Sequence, residues 1–213
     1  MQWKTAFRYL PINYNTTIGT IENITQRTFI QNNLNGERIR IKFSNRYSKE
    51  PLILDKVVIA QQKKGSEDII FPVVITYQGR ERIEIGAGEE FMSDEMEFHI
   101  TAKMLLVVSM YVKEKTNIQS ACSNWSAKSW NTVYGVNGDD TLTANFTTKE
   151  GYEIFPYVNA DVNKANIMFG ITEIQIETKE EVSTICLFGD SITHMSYFQD
   201  ALAKKHIMIT QVK

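Results

Sequence analysis

The sequence predicts a mainly β protein: an antiparallel sandwich of the jelly-roll kind, followed by the first strand, turn and helix of an α/β domain. Apolar residues alternate with charged or polar ones in Arg38–Phe43, and the same period of two recurs in Ile171–Ile176, as in strands with one buried face. Turn-forming residues separate further short apolar runs at close intervals. After residue 181 the pattern changes to a compact apolar run, a Gly-Asp-Ser turn and a stretch with helical spacing.

The composition is that of an ordinary globular protein. Of the 213 residues 43% are hydrophobic, and 23 basic against 25 acidic residues give a net charge of −2. No basic block stands out, so neither nucleic acid nor a membrane surface is a predicted partner. No apolar run has the length of a signal peptide or of a membrane span, which takes about 20 residues. We therefore expect a cytoplasmic protein in which Cys122 and Cys186 are ordinary thiols rather than a disulfide.

Residues 1–180 are predicted to form the sandwich. Besides the two alternating segments, its strands are runs rich in β-branched and aromatic residues, at 57–60, 69–77, 104–111 and 154–158. Pro72 predicts an edge strand, a bulge or a strand break, because proline donates no hydrogen bond to a neighbouring strand. No amphipathic helix is predicted between about residue 28 and residue 180. The charged stretch Glu177–Glu181 is the predicted linker.

Residues 181–213 are predicted to begin the α/β domain. Val182–Phe188 has the continuous apolar character of a strand buried on both faces of a parallel sheet. Met195–Lys205 repeats its apolar residues at helical spacing, and the tail 203–213 ends in a second predicted strand. Such a unit cannot cover both faces of a parallel sheet, so we expect it to pack on its own sandwich or on another copy. The exposed edge predicts a homodimer formed through this C-terminal unit.

The turn Gly189–Thr193 lies where α/β proteins place their ligands, at the carboxyl end of the buried strand. Ser191 would present its hydroxyl there, with its own backbone N–H at the start of a helix and aimed at a developing oxyanion. Gly189 would allow the sharp turn. The alternative is that Ser191 or Thr193 only caps the helix. The strand before the turn and the helix after it favour a nucleophile.

Leu187–Thr193, with the sequence LFGDSIT, resembles the nucleophile block of the SGNH, or GDSL, hydrolases, a family of esterases and acylhydrolases. The region before it resembles the β-sandwich that precedes the hydrolase domain in one branch of that family, at Gln26–Thr28, Gly36–Asn45, Pro51–Ile53, Gly86–Glu89, Ser93-Asp94 and Tyr134–Asp139. The resemblance covers most of the chain from about residue 26 to residue 200. Arg46–Ser48 departs from it by lacking a glycine, which affects only a loop.

The resemblance implies a flavodoxin-like hydrolase domain and a small-molecule or carbohydrate ester as substrate, with an acetylated sugar slightly favoured over a lipid. It implies that Ser191 is the nucleophile and one oxyanion donor, that Asp190 supports the turn, and that Gly189 shapes it. The family also needs a glycine and an asparagine for the oxyanion hole and a late Asp-x-x-His for the base. The 22 residues after Ser191 contain neither glycine nor asparagine, and neither His194 nor His206 follows an aspartate by three places.

We therefore interpret the chain as the N-terminal portion of a serine esterase, truncated after its nucleophile block and inactive alone. The alternative is a free-standing sandwich that binds carbohydrate or another protein. Trp125, Trp130 and Tyr134 lie in a stretch rich in Ser and Asn, and exposed aromatic rings beside amides hold sugars in many sandwich domains. The favoured interpretation is that these rings fill the end of the sandwich. None of the three histidines has metal-ligand spacing, so neither a metal nor another cofactor is predicted.

Overall fold

A computed structural model describes residues 1–63, 68–124, 130–155, 165–183, 185–187 and 209–211. Within these ranges the chain is mainly β, which confirms the predicted class. The elements in chain order are β1 Gln2–Arg8, β2 Ile12–Asn13, β3 Gly19–Ile21, β4 Ile24–Ile30, β5 Gly36–Ser44, β6 Leu52–Leu54, β7 Lys56–Gln62, β8 Ile69–Val74, β9 Ile83–Ile85, β10 Glu90–Met92, β11 Met96–Ile100, β12 Leu106–Val112, β13 Thr116–Ile118, β14 Ser120–Asn124, β15 Trp130–Gly135, β16 Thr148–Glu150, α1 Gly151–Ile154, β17 Asn166–Thr178, β18 Ile185–Leu187 and β19 Ile209–Gln211.

The strands form two large sheets. The nine-stranded sheet follows the path β10-β5-β17-β1-β19-β18, with β11 beside β5, and with β14 joining β17 to β2. The six-stranded sheet has the order β16-β15-β4-β12-β7-β8. Two further pairs, β3 with β13 and β6 with β9, stand outside these sheets. Among the described residues every pairing between strands is antiparallel except those that β19 makes with β1 and β18.

The two sheets share one hydrophobic core, which follows from the alternating pattern of β5 and β17. Ile39, Ile41 and Phe43 of β5 are each 0% exposed, whereas the basic residues between them reach the outer face. Gly170 of β17 lies where the two sheets come close, because a Cβ there would stand 3.3 Å from the Met110 side chain of β12. With a φ of +80° this position also requires a backbone conformation that favours glycine.

The prediction from Pro72 is confirmed. β8, which contains this proline, is the edge strand of the six-stranded sheet, and its register with β7 shifts between Ile59 and Gln61. The shift lies opposite Phe71-Pro72, where Phe71 has a φ of 55° and an exposed side chain. An edge position suits proline, because its missing N–H faces away from the neighbouring strand.

Two boundaries differ from the prediction. The strand predicted over 154–158 is wrong in its described part, because Ile154 ends the single turn α1. A capping box between Glu150 and Glu153 starts this turn, and the Glu153 carboxylate accepts the Glu150 N–H at 2.7 Å. β17 continues through Thr178, so the charged stretch predicted as a linker begins as strand.

The strand predicted in the C-terminal tail is confirmed at β19. It runs parallel to β18 over three residue pairs and parallel to β1 at the pair Arg8 and Thr210. The tail therefore joins the chain's own nine-stranded sheet, one of the two arrangements that the sequence predicts. The homodimer stays a prediction.

Hydrogen bonds of the buried residue Asn45 tie together the turns that follow β5 and β9. The Asn45 N–H donates to the Glu89 carbonyl at 2.9 Å, and the Gly88 N–H donates to the Asn45 carbonyl at 3.1 Å. The Asn45 side-chain amide donates to the Ile85 carbonyl at 3.2 Å. These bonds join the ends of β5 and β9 to the start of β10, so Gly36–Asn45 and Gly86–Glu89 act as one structural unit.

Asp94 ties the start of β11 to the turn after β8. Its carboxylate accepts hydrogen bonds from the Thr76 hydroxyl at 2.6 Å, the Gly79 N–H at 2.8 Å and the Gln78 N–H at 3.0 Å. The bond from Thr76 contributes most to lowering the pKa of Asp94 below its ordinary value, and those from Gly79 and Gln78 add to it.

We expect Asp94→Asn to destabilise the protein in a pH-dependent way. A carboxylate whose pKa is lowered by folding stabilises the folded state above its unfolded pKa of about 3.9, and this contribution is lost as the pH falls through the folded value. Urea unfolding should show a gap between wild type and variant that is constant from about pH 7 to pH 5 and shrinks below about pH 4. Glu84→Gln, at an exposed position of β9, serves as the control. A gap of equal size at all pH values would contradict this role.

Candidate functional site

The predicted nucleophile turn lies outside the described residues. This applies to Gly189, Asp190 and Ser191, and also to Trp125 of the predicted aromatic cluster. The described residues that come directly before this turn are Ile185–Leu187, which form β18. The strand predicted before the turn is therefore present in part.

The structure places Trp130 and Tyr134 inside the protein rather than on its surface. Both belong to β15, and they are 1% and 0% exposed. The Trp130 ring packs edge-on against Tyr9 at 5.3 Å, and the Tyr134 ring packs against Phe155 at 5.6 Å. A sugar cannot stack on rings that are covered in this way. Their positions agree with the interpretation that the aromatic residues of this stretch fill the interior.

Tyr134 and Gln26 satisfy backbone groups of β17 that no neighbouring strand reaches. β5 pairs with β17 from Gly170 onward, so the preceding residues lack a partner strand on that side. The Gln26 side-chain amide takes the place of the missing strand. It donates to the Phe169 carbonyl at 3.1 Å and accepts the Phe169 N–H at 3.0 Å. The Tyr134 hydroxyl donates to the Ile167 carbonyl at 2.5 Å, and its burial raises the pKa of Tyr134 well above 10. These bonds connect the two sheets.

Removing the Tyr134 hydroxyl should therefore lower stability. In Tyr134→Phe the Ile167 carbonyl stays buried without its donor, which costs about 1–3 kcal/mol. Chemical denaturation should show this loss as a lower midpoint with an unchanged slope. Tyr47→Phe, which alters a partly exposed ring, should be close to neutral. Equal midpoints for wild type and Tyr134→Phe would show that the bond between the sheets contributes nothing.

Arg27 is a buried cation on the outer face of the six-stranded sheet. Its side chain belongs to β4 and the residue is 2% exposed. The guanidinium donates to the Ser109 hydroxyl at 2.8 Å, to the Asp140 carbonyl at 2.8 Å and to the Ala144 carbonyl at 3.3 Å. Burial lowers the pKa of Arg27 to about 10, against the raising effect of Asp140, so the group stays protonated at neutral pH. Arg27 thus holds the connection between β15 and β16, residues 136–147, which we name the 136–147 loop.

The same loop is also fixed by Thr25 of β4, by Lys56 of β7 and by bonds within the loop. The Thr25 hydroxyl donates to the Gly138 carbonyl at 2.6 Å and accepts the Asp140 N–H at 2.9 Å. Desolvation raises the pKa of Asp139, but hydrogen bonds from Thr141 and the charge of Lys56 outweigh it and leave this pKa below its ordinary value. The segments Gln26–Thr28 and Tyr134–Asp139 meet in space, because Tyr134 of β15 pairs with Gln26 of β4.

Phe146 is the aromatic residue that this arrangement holds in place. The Arg27 guanidinium carbon lies 4.4 Å from the centre of its ring. A Cβ at Gly135 would stand 2.9 Å from the ring and 2.8 Å from the Asp140 carboxylate. Only glycine permits this close approach, so the loop is packed tightly against β15.

A groove with a volume of about 320 Å³ opens beside the 136–147 loop on the outer face of the six-stranded sheet. Its walls combine aromatic or apolar residues with amide side chains, and these are Phe29, Val133, Phe146, Gln62, Asn131 and Asn145. The sequence alone does not indicate this site. Its residues come from β4, β7, β15 and the loop, and no local motif joins them.

On the outer face of the nine-stranded sheet, in contrast, basic side chains form ion pairs with acidic ones. Arg38 lies 3.5 Å from the Glu177 carboxylate, and Lys42 lies 3.4 Å from that of Glu90. The Arg40 guanidinium lies over the Trp3 ring at 4.3 Å from its centre. Because the basic side chains of β5 have acidic or aromatic partners, this face is not a cationic patch.

Comparison with known proteins adds no relative: no family model matches the chain, and no curated protein matches it. No helix in the described ranges is long and apolar enough to cross a membrane. In the same part of the chain, no three His, Cys, Asp or Glu side chains gather so that they could hold a metal ion. Cys122 is buried, with its Sγ 3.8 Å from the Tyr9 carbonyl oxygen. A functional assignment therefore depends on the residues and geometry above.

Proposed function

We propose that the chain is the N-terminal portion of a GDSL-type serine esterase. In this proposal a jelly-roll-like sandwich, residues 1–180, precedes the first part of an SGNH hydrolase domain, residues 181–213. Ser191 is the nucleophile, Asp190 supports its turn and Gly189 shapes it. The observation that carries the proposal is the sequence LFGDSIT, whose first residue, Leu187, is the last residue of the short strand β18.

The pairing of β18 with β19 supports the start of an α/β domain. Parallel neighbours cannot be joined by a hairpin and need a crossover of about a dozen residues or more, usually a helix. Here 21 residues, 188–208, connect the two strands, and Met195–Lys205 within them has helical spacing. Ser191 is the fourth residue of this connection in sequence, and α/β proteins bind their ligands at the carboxyl ends of their parallel strands.

Contacts between the stretches that resemble the sandwich of SGNH hydrolases support the proposed sandwich domain. Gln26–Thr28 meets Tyr134–Asp139 through the hydrogen bond that the Tyr134 hydroxyl donates to the Gln26 amide oxygen at 3.2 Å. Gly36–Asn45 meets Gly86–Glu89 through the backbone bonds of Asn45. Residues that are scattered along the sequence thus form paired structural units. This is the behaviour expected of stretches that define one domain.

In the proposed reaction the Ser191 oxygen attacks the carbonyl carbon of an ester, and the alcohol leaves to give an acyl-enzyme that water hydrolyses. The Ser191 N–H would donate to the oxyanion of the tetrahedral intermediate. A histidine base and two further donors are needed, and these 213 residues contain no Asp-x-x-His. The expected substrate is a carbohydrate ester such as an acetylated sugar, which follows from the sandwich by analogy of architecture.

Labelling the protein isolated from its natural source tests this proposal. A fluorophosphonate reacts with serines that a histidine activates, so the tryptic peptide of residues 180–204, which contains Ser191, should carry the label. The same protein with Ser191→Ala, produced in that source, should remain unlabelled. Absence of label from the native protein, or label that persists in Ser191→Ala, would overturn the assignment of the nucleophile.

A further inference from the structure

We infer that the groove beside the 136–147 loop is a binding site for neutral carbohydrate. The described residues that line it all lie between Arg27 and Thr148, and the inference does not depend on the proposed esterase function. Its volume of about 320 Å³ falls at the lower end of the range of small-molecule sites, about 300–1,000 Å³.

The apolar part of the groove suits the C–H face of a sugar ring. Phe29 is half-buried on β4, Val133 is half-buried on β15, and Phe146 faces them from the loop. Flat aromatic rings beside an aliphatic side chain offer a surface on which a pyranose can lie while its hydroxyls point outward. A smaller polar ligand would leave this surface uncovered.

The polar part of the groove suits hydroxyl groups. Asn131, Asn145 and Gln62 each carry a carbonyl oxygen that accepts and an NH₂ group that donates. A sugar hydroxyl also donates and accepts, so an amide can bind it in either sense. These three side chains come from β15, the loop and the end of β7, and they line the same groove as the aromatic rings.

The charge of the groove favours a neutral ligand. None of the described lining residues carries a carboxylate. The cation that lines the groove is Arg27, and its guanidinium is already bound to Ser109 and to the carbonyls of Asp140 and Ala144. An acidic sugar would find no uncommitted cation among these residues, and a cationic ligand would find no counter-charge.

The groove is preorganised, which lowers the entropic cost of binding. Arg27 fixes the loop from below, and Phe146 is confined between the guanidinium and Gly135. Phe29 and Asn131 are neighbours in register on β4 and β15, so the two halves of the floor keep a constant spacing. The buried arginine thus positions a ligand-binding surface as well as stabilising a loop.

Titration of the 213-residue protein with neutral oligosaccharides tests the inference. The panel consists of cello-, xylo-, manno- and chito-oligosaccharides at millimolar concentration, with oligogalacturonate as an acidic comparison. Binding is followed by calorimetry and by the ¹⁵N–¹H signals of side-chain amides. We expect at least one neutral oligosaccharide to bind and to shift the amide signals of Asn131, Asn145 and Gln62.

Two variants connect binding to the groove. Asn131→Ala removes an amide from a strand without touching the core, and Phe146→Ala removes the aromatic wall. Each should raise Kd by about tenfold or more, the effect of losing one well-placed contact. Asn137→Ala, an exposed amide of the same loop outside the groove, should leave Kd unchanged. Thermal unfolding followed by circular dichroism shows whether Phe146→Ala is folded. If Phe146→Ala is unfolded, the Kd of Asn131→Ala decides the test.

The inference is overturned by any of three results. One is the absence of binding across the neutral panel, and another is binding whose Kd stays the same in Asn131→Ala. The third is binding of oligogalacturonate alone, which would show that the site selects charge rather than the neutral ring.

Discussion

p-Nitrophenyl acetate should be hydrolysed by the 213-residue chain no faster than by its Ser191→Ala variant. These 213 residues contain no Asp-x-x-His, so the nucleophile proposed at Ser191 lacks the base that the mechanism requires. The members of a catalytic triad act as a unit, and in serine hydrolases loss of one lowers the rate by about 10⁴ to 10⁶. Each missing oxyanion donor removes about 3 kcal/mol more of transition-state stabilisation. Initial rates at high protein concentration, compared with buffer and with Ser191→Ala, provide the measurement.

A measurable turnover that Ser191→Ala abolishes would contradict this prediction. It would mean that another group activates the serine, and His194 is the nearest histidine in sequence. His194→Ala would then distinguish a base from an unrelated helix residue. Turnover that persists in Ser191→Ala would instead indicate hydrolysis by another group or by a contaminant.

Arg27→Ala should lose about 3 kcal/mol of stability, the second large effect that the structure predicts. The substitution removes the donors of the Ser109 hydroxyl and of the Asp140 and Ala144 carbonyls. It also leaves a space beneath Phe146. Urea denaturation measures the loss, and limited chymotrypsin digestion should show faster cleavage at Leu142, which is 51% exposed, and at Phe146.

Two further variants serve as controls for the stability loss of Arg27→Ala. Arg27→Lys keeps the charge but presents one ammonium in place of the planar guanidinium, so it should restore only part of the stability. Arg46→Ala, whose side chain is 53% exposed and forms a surface ion pair with Glu90 at 3.7 Å, should change stability by about 0.5 kcal/mol or less. If Arg27→Ala is as stable as the Arg46→Ala control and resists chymotrypsin, the 136–147 loop does not depend on Arg27.

The strands that the sequence predicts best have one buried and one exposed face. In β5 the apolar residues Ile39, Ile41 and Phe43 face the core, and the basic residues face outward, so the period of two is visible. β4 is different because both of its faces are covered. Arg27 lies on its outer face under the 136–147 loop, and Gln26 lies on the inner face against β17. An alternating pattern cannot indicate a strand of this kind.

The position of the aromatic residues could not be predicted from their neighbours in sequence. The stretch that precedes Trp130 is rich in serine and asparagine, which suggests an exposed site. Pairing with β4 decides otherwise, since Trp130 stands opposite Ile30 and Tyr134 opposite Gln26, two inward-facing residues. The intervening Asn131 and Val133 face outward and line the groove. Trp130 and Tyr134 are therefore covered, and the aromatic residues that line the groove are Phe29 and Phe146.

The groove depends on residues distant in sequence, which is why no motif indicated it. Phe29 and Phe146 are separated by most of the chain, and they come together because β15 pairs with β4 and the loop after β15 folds back over the sheet. The nucleophile turn is the opposite case. Its residues are consecutive, so its chemistry can be predicted from the sequence alone.

The most direct test of the account is the sequence of the transcript downstream of the Lys213 codon. An esterase that begins with this chain requires the reading frame to continue into a block with the oxyanion-hole glycine, a block with the asparagine and a late Asp-x-x-His. We predict that continuation, with the three blocks in that order. A stop codon directly after Lys213 in the mature transcript would contradict it and would leave the sandwich as a free-standing binding module.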